Sequence, residues 1–312
     1  MAVRITFDAL YENELKDLLV PFEVQRKKIL KTEVTGYVLL GLAFLLFFLS
    51  SSSYMVSFGL PGIICILAGA IFVGLAYNNR KGYVAAFKEN IVRRVINYID
   101  PSFYYNPERF VSQKDYTNSG LFLKKPDSYE GDDYIEGLRG KTYFCFSELN
   151  VTKSDGENHT VTIFKGLFFI GDFNKNFHGR TYVWSASNPQ LGFFNKIFTS
   201  FSYDLEKINM ENSDFESRFM VYSTDQVEAR YILTPSFMER LVILEQLMGV
   251  GISFSFVNTN IYIAVPVAGK LFEPANYRPN NYDIIGDYYN TVYIVFDIID
   301  ELNLNLRIWN KE

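Results

Sequence analysis

Between Glu33 and Arg80 the chain has no Asp, Glu, Lys, Arg or His. The stretch opens "VTGYVLLGLAFLLFFLS" and closes "GIICILAGAIFVGLAYNN". It is too long for one membrane span and suits two of about 17 to 25 residues each. A first span is expected over Thr35–Ser51 and a second over Val56–Tyr77. The link "SSSSYM" is short and uncharged, so the two helices should form an antiparallel hairpin. Pro61 falls in the first turn of the second span, where its missing N–H costs little. A core helix of a soluble protein would more often show an apolar run of about 10 to 14 residues.

The flanks orient the hairpin. Arg26, Lys27, Lys28 and Lys31 precede it, and Arg80, Lys81, Lys88, Arg93 and Arg94 follow it. Basic loops stay on the cytoplasmic side, so both termini are expected inside. Gly69, Ala70 and Gly74 give the second span a small-residue face suited to close helix contact, and Ala70 with Gly74 could support a homo-oligomer. No ionisable residue lines either span, so a pore would require several hairpins.

The fold class expected is α+β: an N-terminal transmembrane hairpin, then a strand-rich cytoplasmic domain with several packed helices. The divisions are an amphipathic helix over 1–33, the hairpin over 34–77 and the cytoplasmic domain over 78–312. Within the last lie a juxtamembrane helix at 82–99, a strand-rich core at 133–267 and a C-terminal helix at 282–302. The N-terminal helix has Leu10, Leu15, Leu18, Leu19 and Phe22 as its apolar set, and Pro21 is expected to kink or split it. It either packs on the soluble domain or lies on the membrane surface; the first is favoured because its acidic forward half would be repelled by anionic lipid.

Local signals mark the later elements. Val84, Phe87, Ile91, Val95 and Tyr98 recur at helical spacing until Asp100-Pro101. Ser112 with Asp115 reads as a helix start, and Gly120 as its stop. Strands are expected on both sides of Arg139-Gly140 and over 160–171, 181–185, 203–209 and 217–223. Thr234 caps a helix with Pro235 at its first position and Gly249 at its end. A hairpin turns at Asn258-Thr259-Asn260. With 29 Phe and 22 Tyr, the chain favours a pleated, buried sheet.

Composition excludes several functions. Net charge is −5, and residues 82–312 carry 22 basic against 29 acidic side chains, a net −7. That balance argues against nucleic-acid binding. The two cysteines, Cys65 and Cys145, make a disulfide framework improbable. Two histidines, His159 and His178, and no paired His or Cys motif leave no zinc site; no metal and no cofactor is expected. Phosphate-binding glycine loops and nucleophile elbows are absent.

One loop draws attention. "FNKNFHGR" (173–180) follows the apolar run "VTIFKGLFFIGD". Asp172, Asn174, Lys175, His178 and Arg180 could converge on an anionic ligand, Arg180 offering a fork for carboxylate or phosphate. The simpler reading is a strand-ending turn anchored by Phe173 and Phe177. A second polar set contains Arg218, Asp225, Gln226, Glu228 and Arg230. Mixed charge beside a core usually forms structural ion pairs; a recognition surface that includes Asp225 and Arg230 is the functional alternative.

"FKGLFFIGDFNKNFHGRT", "DFESRFMVYSTDQVEARYILTPSFMERL" and "SFSFVNTNIYIAVP" followed by "LFEP" together resemble a bacterial domain-of-unknown-function family, number three-one-three-seven. The resemblance extends from about residue 90 to the C-terminus, and the two-span hairpin fits it. It implies a bacterial inner-membrane protein with a cytoplasmic domain, often encoded near LemA-like membrane proteins, and no established activity. The expectation is therefore a non-enzymatic membrane protein whose cytoplasmic domain binds a protein partner, such as a LemA-like protein, or a small ligand. The alternative is a membrane-tethered enzyme or anionic-ligand sensor using the 172–181 loop, with His178 as acid or base.

Overall fold

The computed structural model describes residues 7–50, 59–154, 156, 159–173, 175–187 and 204–302. The chain divides into two units. The first comprises residues 1–99 and 272–289, the second residues 100–271 and 290–312.

In the first unit, a π-helical turn at Tyr11–Leu15 runs into helix α1, Lys16–Ser50. Pro21 lies inside α1, so of the expected kink or split the split does not occur. Helix α2 spans Gly59–Phe87 and continues through a π-turn, Lys88–Val92, into α3, Arg93–Ile99. Helix formation thus stops just before Asp100-Pro101, where the pre-proline residue disfavours it. Two helical stretches, Phe7–Leu49 and Leu60–Ile99, are long and apolar enough to cross a membrane.

Helices α1 and α2 approach closely at two glycines. A Cβ on Gly36 would meet Val73 Cγ2 at 2.8 Å and the Gly69 carbonyl at 3.0 Å; one on Gly69 would meet Leu40. Ala70 and Gly74 face outward instead. The charged ends of the apolar stretch are joined by an ion pair between Arg80 and Glu33. The N-terminal helix packs its apolar side against the continuation of α2, with Phe22 edge-on to Phe87 at 5.4 Å. It also holds the segment 272–289: Glu23 accepts from the Asn280 N–H at 2.8 Å, and Arg26 donates to the Asn276 carbonyl.

The second unit is built on one nine-stranded antiparallel sheet. Its strands are β1 Tyr104–Asn106, β2 Ser128–Arg139, β3 Thr142–Ser154, β4 Thr160–Asp172, β5 Arg180–Ser185, β6 Glu206–Ile208, β7 Phe219–Ser223, β8 Ser253–Val257 and β9 Asn260–Pro266. The order is β1-β2-β3-β4-β9-β8-β5-β7-β6, so the late hairpin β8–β9 sits between β4 and β5. The helices are α4 Gln113–Asn118, α5 Ser213–Arg218, α6 Gln226–Ile232, α7 Pro235–Met248 and α8 Tyr282–Glu301, the last shared with the first unit.

Register accounts for the aromatic composition. Across one face run Cys145, Ile170, Tyr262, Ser255, Tyr182 and Tyr222. Across the other run Phe146, Phe169, Ile263, Phe254, Val183 and Val221. The first face is covered by Val111, Tyr116 and Leu121 from the α4 segment, with Trp184 donating to the Leu121 carbonyl. The second carries Phe237 of α7 against Phe256 and Phe296 of α8 against Phe144. A sheet buried on both faces needs apolar residues at consecutive strand positions.

The helix starts follow the sequence signals. Ser112 accepts from the Asp115 N–H, and Thr234 accepts from the Phe237 N–H with Pro235 next. Gly249 closes α7 at φ 65°, a left-handed position that favours glycine. On α7, Met238, Leu241 and Leu244 are buried, Met248 is half-buried and Leu247 is exposed. Helices α5 and α6 were not expected from the pattern, and the strands begin earlier than residue 133, with β1 and the start of β2. The tail after Leu302 lies outside the described residues.

Gly166 is the tightest point of the sheet. Its φ is 149°, and a Cβ there would lie 2.1 Å from the Val265 carbonyl oxygen. Gly166→Ala is expected to destabilise the protein by about 2 to 4 kcal/mol. Gly269→Ala, where a Cβ meets open space, should change little. Thermal unfolding of the detergent-solubilised chain would check both.

Candidate functional site

The β4–β5 connection is the loop that the sequence singles out. Two hydrophobic anchors and two backbone bonds fix it. Phe173 and Phe177 are buried, and both rings pack against Phe256. The Phe173 N–H donates to the Thr259 carbonyl at 2.9 Å, and the Phe177 N–H to the Asn258 carbonyl at 2.5 Å. The loop is therefore stitched onto the β8–β9 turn, where Asn258 takes φ 58°.

Its outer half is held by one carboxylate. Glu228, in the first turn of α6, accepts from the His178 N–H at 3.2 Å and from the Gly179 N–H at 2.8 Å. Lys175 Nζ lies 3.8 Å from the same carboxylate and 4.0 Å from the centre of the Tyr231 ring. Burial pulls the Lys175 ammonium below the ordinary lysine range, and Glu228 and Asp225 act in the opposite direction. Gly179 is required by this arrangement: a Cβ would sit 2.9 Å from Asp225 Cβ and 3.2 Å from Glu228 Oε2.

The local sequence explains why α6 starts where it does. Asp225 has extended φ/ψ, and its carboxylate accepts from the Val227 and Glu228 N–H groups, both at 2.9 Å. A capping aspartate followed three residues later by glutamate is a helix-start signature. Here the glutamate reaches across to another loop. Ser223 completes the turn by accepting from the Asp225 N–H.

The residues singled out in the sequence thus separate into distinct places. Lys175 and Asp225 gather around Glu228. Asp172 ends β4 opposite Asn260. His178 is exposed, with its backbone committed to Glu228. Arg180 is exposed; its N–H donates to Thr224 Oγ1, and its side chain lies at the Tyr182 hydroxyl. Arg230 is exposed two positions beyond Glu228, on the opposite side of the helix. Asn174 lies outside the described residues. Arg218 pairs with Asp214 and with Glu245. Glu228 is the residue that organises the site, and its partners stand about fifty positions away in sequence.

Two further features bear on chemistry. Cys145 is buried in the sheet, and burial pushes its thiol up to about 11, the reverse of what a nucleophile needs. The carboxylates of Asp132, Asp133 and Glu148 lie within 4.8 Å of one another at a bulge in β2. The two buried members already accept from protein donors: Asp133 from the Tyr105 hydroxyl at 2.5 Å and Glu148 from the Leu271 N–H at 2.8 Å.

The loop, α6 and the central strands fall within one stretch of family similarity. Residues 162–304 match the family model "Protein of unknown function (DUF3137)". The DUF3137 match covers somewhat less than half of the chain and agrees with the resemblance read from the sequence. No curated protein matches the chain. Among solved structures, the mycobacterial trehalose monomycolate transport factor A, TtfA, is similar over 69% of this chain and 95% of that one. The identity is 11% and the TM-score 0.38, too low to carry over any property of that protein.

Glu228→Ala should leave two loop amides and an ammonium without their acceptor, destabilising the domain by about 2 to 4 kcal/mol. Amide hydrogen exchange at His178 and Gly179 should rise with it, whereas His178→Ala should stay within about 0.5 kcal/mol of wild type. Cys145 should react with maleimide at neutral pH at least about a hundredfold more slowly in the folded protein than in the unfolded one. Peptide mapping after timed labelling would check this.

Proposed function

We propose that this chain is a non-enzymatic bacterial inner-membrane protein. The two apolar helices anchor it with both termini in the cytoplasm, and the sheet domain binds a protein partner through the surface of α6 and the β4–β5 loop. The observation that carries this reading is the division of labour around Glu228. The buried carboxylate holds the loop, while Val227 and Tyr231, one helical turn apart on α6, remain 80% and 57% exposed. His178, Arg180 and Arg230 supply exposed polar and basic groups from the same loop and helix. An aromatic ring and arginines on a preorganised surface are the composition of interface hot spots.

A LemA-like membrane protein, the genomic neighbour that the family resemblance implies, is the first candidate partner. An enzyme or anionic-ligand sensor is less well supported. The Lys175 charge already faces Glu228, and Arg180 and Arg230 do not gather with it. The small residues Ala70 and Gly74 face outward on α2 and leave room for a second copy.

Affinity purification of the tagged full-length protein from its own membranes, in mild detergent, tests the proposal. Val227→Asp with Tyr231→Ala, and separately Arg180→Ala, serve as comparisons. A stoichiometric partner that these variants lose by about tenfold or more is the expected result. Equal recovery from folded variants, or a wild-type protein retaining only a metabolite, would overturn the assignment.

A further inference from the structure

Most basic side chains described in residues 1–99 fall into two groups. Arg26 pairs with Glu23 at 2.9 Å, Lys88 with Glu273 at 3.3 Å, Arg93 with Glu89 at 2.7 Å and Arg94 with Glu14 at 2.8 Å. Lys16 meets Glu12, and Arg80 meets Glu33. Lys27, Lys28, Lys31 and Lys81 are exposed and, among the described residues, have no acidic partner.

These four share one level along the helices. The Glu33–Arg80 pair marks where the uncharged stretches of α1 and α2 end. At a rise of about 1.5 Å per residue, Lys31, Lys28 and Lys27 lie within about 10 Å of Glu33, and Lys81 is next to Arg80. The polar headgroup zone is about 5 to 8 Å thick on each side of the hydrocarbon core, within reach of flexible lysine side chains. Exposed tyrosines occupy the apolar side of the same boundary: Tyr37 on α1 and Tyr77 on α2. Lys81 Nζ sits 4.9 Å from the centre of the Tyr77 ring. Aromatic rings at this depth are the usual interfacial anchors.

We propose that Lys27, Lys28, Lys31 and Lys81 form a collar that binds the phosphate headgroups of anionic phospholipids where the hairpin leaves the membrane. The inference rests on the membrane-spanning reading above. Charge complementarity commits the occupant. Four ammonium groups lack a protein counter-charge at the depth where phosphodiesters are found. Residues 82–312 are net −7, so an anionic leaflet would be repelled by most of the remaining chain. The paired arginines and lysines already face carboxylates, so among the described residues of the helical unit the candidates for lipid contact are the four lysines and the exposed Arg278.

The test uses the full-length protein in nanodiscs of phosphatidylethanolamine with phosphatidylglycerol, beside the variant K27Q/K28Q/K31Q/K81Q. Lipids retained after gentle detergent extraction are quantified by mass spectrometry. A lysine near an anionic surface is worth about fivefold in partitioning, so the variant should lose at least several-fold of the phosphatidylglycerol enrichment. Wild-type protein that retains the two lipids in their bulk ratio would overturn the collar without any reference to a variant. So would unchanged enrichment in the variant. Alkaline carbonate extraction of native membranes separates the two levels of the argument. Release of the wild type would overturn the spanning reading and the collar together, whereas retention without lipid preference would overturn the collar alone.

Discussion

Burial of strands β8 and β9 on both faces is the constraint from which the sheet domain follows. Every residue of β8 is buried, as are Ile261–Val265 of β9. A strand in that position cannot leave one side to solvent, so each face needs its own cover. The α4 segment supplies one, and α7 with the end of α8 the other. The abundance of Phe and Tyr reflects this geometry. Large flat side chains fill both layers, and Trp184 donates its indole N–H to the Leu121 carbonyl of the covering segment.

The polar loop at the end of β4 shows how a binding-site pattern can arise from structural need. Lysine, histidine, glycine and arginine in eight residues suggest a site for an anion. In the fold, the anion is supplied internally by Glu228. A buried carboxylate that accepts from two backbone N–H groups beside an ammonium meets the requirement that buried charge be compensated. Beside this cluster, Val227 and Tyr231 of α6 are exposed in spite of their apolar character, the Tyr231 ring lying against Lys175. The polar residues of the loop therefore serve its internal structure first.

Local signals were readable from the sequence because their causes are local. The Ser112 and Thr234 caps, the Gly249 stop, the Asn258 turn and the last helix all depend on residues within a few positions of one another. Helices α5 and α6 escaped because six or seven residues are too few to show a period, although Asn212 and Asp225 are both capping residues. Of the two expectations for Pro21, the split did not occur: one missing hydrogen bond did not end a helix that runs on to Ser50. The Glu228 contacts could not be read at all. They join positions about fifty apart and depend on a strand order that places β5 beside β7 and β8.

The strand order also sets a timetable. Strands β1 to β4 form a meander that can pair as the chain emerges, and β5, β7 and β6 can pair among themselves. No strand pairing joins these two pieces until the hairpin β8–β9 enters between β4 and β5. On a ribosome, the apolar hairpin near the N-terminus is synthesised long before residue 266. The membrane-seeking part would therefore be available to the insertion machinery while the sheet is still two fragments with open, aromatic-rich edges. Long-range pairings of this kind form slowly and expose strand edges meanwhile. If those helices insert as proposed, the nascent sheet would be tethered at the membrane during that interval.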